Sequence, residues 1–146
     1  MTFRVVRAVL TASLVLLASC TTSVATPEIT SLQVRTFALD HIAETTTTFD
    51  FAARTIAIDG VVTGTLTADA VADFQAAATT WEIPAWNAEY VDDKVLDGGG
   101  TELHFTFVDG TTQTVKMVNV YEPGQQPPHY TEFREAVNGL AGNTVL

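Results

Sequence analysis

Two Asp-Gly pairs, Asp59-Gly60 and Asp109-Gly110, each stand between stretches whose apolar residues recur at every second position. Asp-Gly tolerates the positive φ of a tight hairpin turn, and a period of two sends alternate side chains to opposite faces of a sheet. Before the first pair, Phe49/Phe51 and Ile56/Ile58 alternate within "TTTTFDFAARTIAIDG", and "VVTGTLT" follows as the returning strand. Before the second, Leu103/Phe105/Phe107 alternate in "TELHFTFVDGTTQTVKMVNVY", with Val115/Met117 or Val118/Val120 alternating on return. The β-branched and aromatic stretch "LQVRTFAL" adds an N-terminal strand.

Hairpins with one apolar face need a cover, and two helical patterns supply it. Thr67 is a candidate N-cap with Asp69 in the first turn. From there Val71, Phe74, Ala78 and Trp81 fall on one helical face, and Pro84 ends the run. Residues 84–100 ("PAWNAEYVDDKVLDGGG") read as a loop, and "EPGQQPPH" as a Pro-rich connection. A second helix is expected over 129–141, with Tyr130, Phe133, Val137 and Leu140 on one face and Gly142 or Gly139 as its C-cap. The sum is an α+β domain: an antiparallel sheet of two β-hairpins plus an N-terminal strand, covered on one face by two helices. Each half reads hairpin then helix, and "ADFQAA" (72–77) echoes "TEFREA" (131–136). A duplication and two similar answers to one packing problem account for this equally well.

Ahead of the domain the chain changes character. "MTFRVVR" is short and basic, "AVLTASLVLLAS" is apolar, and the only cysteine, Cys20, follows at once. That is the layout of a secretory signal, and the apolar run is shorter than the roughly 20 residues a membrane span needs. The residues Leu17-Ala18-Ser19-Cys20 resemble a bacterial lipobox. The resemblance implies that the Cys20 thiol receives a diacylglyceryl group and that cleavage falls between Ser19 and Cys20. Thr21, where an Asp would imply inner-membrane retention, favours the outer membrane or cell surface over an inner-membrane, periplasm-facing location. The other readings of Cys20 are a buried thiol in a core helix, which would need neither the basic prefix nor the polar sequel, and an ordinary signal peptide with an incidental cysteine. The expected organisation is therefore a signal peptide (1–19), a Thr/Ser/Pro tether (20–31) and one domain (32–146), anchored to a membrane without spanning it.

The body of the chain is also similar in pattern to a family of small bacterial envelope domains of unknown function. Asp59-Gly60, the stretch from Tyr90 through Asp97-Gly98, "FVDG" and the closing helix carry the likeness. Members often have a cysteine pair near the first strand, which this chain lacks. The likeness implies no particular activity.

Charge narrows the partners. Seventeen acidic residues face seven basic ones, for a net charge of −10; removing residues 1–19 takes two arginines and no acid, leaving −12. Such a body repels phosphate backbones, so nucleic acid is not an expected partner. A lone cysteine excludes an internal disulfide.

Signals for chemistry are sparse. Past residue 19 only Ser23 and Ser31 remain, with no nucleophile elbow. His41, His104 and His129 are far apart and unsupported by metal-ligand spacing; His104 should point from the outer face of the sheet, and His129 stands at a helix start. Asp92, Asp93, Asp97 and Glu102 form an acidic loop, but Val95 and His104 occupy ligand positions when Gly98 is aligned as an EF-hand glycine. No metal or cofactor is expected. Trp81 belongs to the helical stripe and so to the core, whereas Trp86 and Tyr90 lie in the loop as candidate exposed anchors for a partner. The leading expectation is a lipid-anchored envelope protein with a non-catalytic domain binding a protein or glycan. The alternatives are an envelope enzyme acting on glycan through a carboxylate pair, and a divalent-cation module.

Overall fold

A computed structural model describes residues 26–38, 44–95, 98–142 and 145–146. The chain is α+β. Seven strands, β1 (Ile29–Ala38), β2 (Glu44–Asp50), β3 (Thr55–Ile58), β4 (Val61–Thr65), β5 (Glu89–Val91), β6 (Gly99–Phe107) and β7 (Thr112–Val118), form one sheet in the order β4-β3-β2-β1-β6-β7-β5. All neighbours are antiparallel except β5 and β7, which are parallel. Two helices, α1 (Ala68–Ala78) and α2 (Tyr130–Ala141), complete the domain.

Both Asp-Gly turns form. Between β3 and β4, Asp59 and Gly60 are both left-handed, at φ 48° and 81°, as a two-residue type I′ turn requires. At the other turn Gly110 is left-handed at φ 81°, and the Asp109 carboxylate accepts from the Thr111 N–H and hydroxyl. Those two bonds hold the Asp109 carboxyl below the usual carboxylate range.

The sheet is larger than two hairpins and a strand. The stretch "TTTTFDFAARTIAIDG" breaks at Phe51–Arg54, where Arg54 turns left-handed and Asp50 Oδ1 accepts from the Ala53 N–H. It therefore yields two strands, β2 and β3, and the first half is a four-stranded meander. The supposed loop 84–100 holds a 3-10 turn (Ile83–Ala85) and strand β5, and β6 already begins at Gly99. The two halves are thus not copies of one hairpin–helix unit, and they are joined mid-sheet by β1 against β6.

The domain also starts earlier than residue 32. Ile29 is fully buried, and its N–H and carbonyl are both held by the Gln75 carboxamide of α1. Thr26 is buried as well, with Oγ1 accepting from the Ile83 N–H. Of the expected tether, residues 26–31 belong to the fold, because Ile29 supplies apolar area that a solvated linker would waste.

One face of the sheet carries the core. Leu32 stands between Phe49 of β2 and Phe105 of β6, and Leu103 between Val34 and Val115. The helices pack on this face: Phe74 of α1 stacks on Phe51 with ring centres 4.8 Å apart, and Phe133 of α2 lies 5.8 Å from Phe105. Thr67 caps α1 through the Ala70 N–H, and Gly142 closes α2 in a left-handed conformation. Helix α1 stops at Ala78, six residues before Pro84, because the Thr79 and Thr80 hydroxyls bond back to the Ala76 and Ala77 carbonyls and bend the chain away. Trp81 reaches the core from beyond the helix end.

The opposite face of the sheet is polar. Its cross-strand rows include Thr48–Gln33–His104–Thr114 and Thr46–Arg35–Glu102–Lys116–Glu89. In the second row cations alternate with acids, and Arg35 also forms a two-pronged bond to Glu44.

Candidate functional site

Strands β1 and β7 end, and β6 begins, at the same edge of the core, and the residues there are unlike the rest of the sheet. Gly98, Gly99 and Gly100 come in sequence. A Cβ on Gly99 would lie 2.6 Å from the Phe37 carbonyl oxygen, and one on Gly100 would lie 2.6 Å from the Met117 carbonyl and collide with the Phe37 ring. A Cβ on Gly98 would overlap Asn119 Oδ1 and lie 2.9 Å from the Tyr121 hydroxyl. Glycines in a strand start of this kind mark close approach of other chain segments. They let Phe37, Asn119 and Tyr121 converge.

Asn119 is the focus. It is left-handed at φ 58°, is 5% exposed, and leaves β7 with its N–H bonded to the Gly99 carbonyl. Its Nδ2 donates to the Val95 carbonyl at 2.9 Å. Its Oδ1 is buried and accepts no hydrogen bond. A buried acceptor without a donor costs about 1–3 kcal/mol, so it stands out in a domain whose other side chains are well partnered. Gln125 Oε1 is the second such atom; its Nε2 donates to Asp92 Oδ2 at 2.7 Å. That bond, with the Lys94 N–H, holds the Asp92 carboxyl below its usual range.

A cavity of about 250 Å³ opens at this corner, lined by Thr36, Phe37, Thr101, Asn119, Tyr121 and Tyr130 among others. Among the described residues no charged side chain lines it. Tyr130, the first residue of α2, is buried, and burial pushes its phenol up to about 12, with Arg134 pulling the other way. Its hydroxyl has no hydrogen-bond partner among the described residues and remains a proton donor through the physiological range. Tyr121 stands at the rim, 62% exposed.

The expected anchors fall elsewhere. Trp86 is buried, not displayed: it is 5% exposed, its Nε1 donates to the Trp81 carbonyl at 2.9 Å, and its ring meets Phe133 edge-on at 5.5 Å. The cause is the 3-10 turn Ile83–Ala85, entered through a left-handed Glu82 and pinned by Thr26 and by Gln113 Nε2, which donates to the Ile83 carbonyl. Tyr90 is half-buried on β5, opposite Met117, and its hydroxyl accepts from the Asn87 N–H. It does not adjoin an exposed tryptophan. His104 lies on the outer face, 2.9 Å from the Thr114 hydroxyl, and His129 precedes α2 as expected. Cys20, Ser19, His41 and Asp97 lie outside the described residues. Among those described, no group of three His, Cys, Asp or Glu side chains could hold a metal ion, and no helix is long and apolar enough to cross a membrane.

Asn119 and the glycine run carry the site that residue-by-residue reading passed over. The available signal was three glycines opening a strand of strong alternation, a position where side chains are normally favoured. Comparison of the chain with protein-family models, with curated proteins and with solved structures finds no match.

Proposed function

We propose that the chain is a bacterial lipoprotein of the cell envelope, held in a membrane through diacylglyceryl-Cys20, and that its acidic α+β domain is a non-catalytic module binding an envelope protein or glycan. The observation that carries the reading is the order of the N-terminal residues: Arg4 and Arg7, an apolar run, then Leu17-Ala18-Ser19-Cys20. Only five residues separate Cys20 from Thr26, where the described domain begins, so a lipid on Cys20 would hold the domain close to the bilayer. Two acyl chains on one residue suffice for stable anchoring. The outer-membrane or cell-surface leaflet is the favoured location, because Thr21 replaces the inner-membrane retention signal. The binding role draws support from the uncharged cavity at the sheet end and from the open polar sheet face.

The test is the mature N-terminus. Mass spectrometry of the membrane-extracted protein should find Cys20 as the first residue, bearing a diacylglyceryl group. The Cys20→Ser variant should keep residues 1–19 or leave the membrane fraction. An unmodified Cys20 within an uncut chain overturns the reading.

A further inference from the structure

We propose that the groove between α1 and residues 26–28 is a binding site for a neutral acyl chain, and that its occupant is one of the two chains of the diacylglyceryl group on Cys20 when the domain is off the membrane. The proposal deepens the reading of the chain as a lipoprotein and rests on it.

The groove has a volume of about 480 Å³. Ala68, Val71, Ala72 and Ala76 of α1 form one wall, and Pro27 stands on the other. The uncharged polar side chains of the lining are engaged with the protein itself, so an apolar ligand leaves none of them newly unpaired. Gln75 holds both backbone groups of Ile29, Thr26 Oγ1 accepts from the Ile83 N–H, and the Thr79 hydroxyl donates to the Ala76 carbonyl. Glu28 is exposed. It repels a carboxylate or phosphate head, and no Lys, Arg or His among the described lining residues would attract one. An esterified chain carries no such charge. Length agrees. The lining follows α1 from its first residue to its C-cap, about 17 Å at about 1.5 Å per residue. One leaflet of a bilayer core, the depth an acyl chain fills, is about 15 Å. The connection agrees too. Thr26 lines the groove, and Cys20 lies six residues before it, a reach of at most about 22 Å. A bilayer surrounds an acyl chain, whereas an open groove covers one side of it, so the chain takes the groove only after leaving the bilayer. With one chain sheltered, only the other must meet water, and release costs less.

The test uses the membrane-extracted lipoprotein with a diazirine side chain in place of Ala72 or Ala76, both exposed, mixed with an isotope-labelled copy. Irradiated after dilution from detergent into bilayer-free buffer, it should join that position to an acyl chain on Cys20 of the same molecule, as read by mass spectrometry. Ala76→Phe, which fills the groove, should keep Tm and slow transfer of the lipoprotein between dioleoylphosphatidylcholine vesicles about tenfold, the effect of about two methylenes left in water. Ala88→Phe, exposed and outside the groove, should leave transfer unchanged. A cross-link to residues 21–25, to the lipid of another copy or to detergent, or no cross-link at all, overturns the groove as the site. So does a transfer rate indifferent to Ala76→Phe, or slowed equally by Ala88→Phe. The lipid on Cys20 is weighed before irradiation. Its absence overturns the anchor and with it the occupant, whereas a lipidated Cys20 that cross-links elsewhere overturns the groove alone.

Discussion

Two aromatic residues in irregular segments, Trp86 and Tyr121, have opposite fates. Trp86 sits among Phe105, Phe133 and the Trp81 carbonyl, whereas Tyr121 is mostly in solvent. Truncating Trp86 to Ala should therefore cost about 3–5 kcal/mol, the range for deleting a buried large aromatic, read as a lower urea midpoint. Tyr121→Ala should stay within about 0.5 kcal/mol of the parent by the same measurement. Loss of stability in the second and not the first would reverse their placement. Tyr130 makes a pH prediction. Its phenol is pushed up to about 12, above the free value near 10, so folding favours its neutral form. The contribution is fully present below about pH 10 and is lost as pH rises toward 12. Tyr130→Phe should flatten that alkaline decline in Tm, and an unchanged decline would count against burial of the hydroxyl.

Secondary-structure elements were readable wherever the signal was local. The turn at Asp59-Gly60 depends on two adjacent residues, so its dipeptide suffices; since both are left-handed, Gly60→Val should cost about 1–2 kcal/mol in chemical denaturation. The Thr67 cap and the Phe133/Val137 stripe were readable for the same reason. Elements that exist only through distant partners were not. Strand β5 is three residues long and owes its extension to β7, some 27 residues away, while Ile29 looks like tether sequence until Gln75 binds both its backbone groups. Trp86 is buried because Thr26 and Gln113 hold the turn before it, contacts 57 and 30 residues apart along the chain. At the candidate site the glycine run is plain in the sequence, but Asn119 acquires meaning only once β6 and β7 pair. Gln75→Ala tests one such long-range tie. It should speed amide exchange at Ile29 and in the first residues of β1 while sparing β6 and β7, because it removes two hydrogen bonds at one strand end.

At the scale of the whole molecule, the echo between "ADFQAA" and "TEFREA" poses a question that topology sharpens. Phe74 and Phe133, the aromatic residues of the two echoes, both pack edge-on against Trp81, at 5.4 and 5.5 Å, so the echo reflects a shared position around one core. A duplication of autonomous units would leave each half with its own sheet and core. Here β1, from the first half, lies between β2 and β6, and its Leu32 and Val34 face Phe105 and Leu103 across the junction. Cutting the chain after Thr80 would strip β1 of β6, one of its two neighbours, leave Phe74 without Trp81, and expose two long unpaired strand edges. Neither fragment 26–80 nor 81–146 should then fold alone: each should give a narrow amide NMR spectrum and little near-ultraviolet circular dichroism, and mixing them should restore both. A dispersed native-like spectrum from either fragment by itself would show instead that the halves are independent units, and the pairing of β1 with β6 would be a later docking and not the seam on which the core is built.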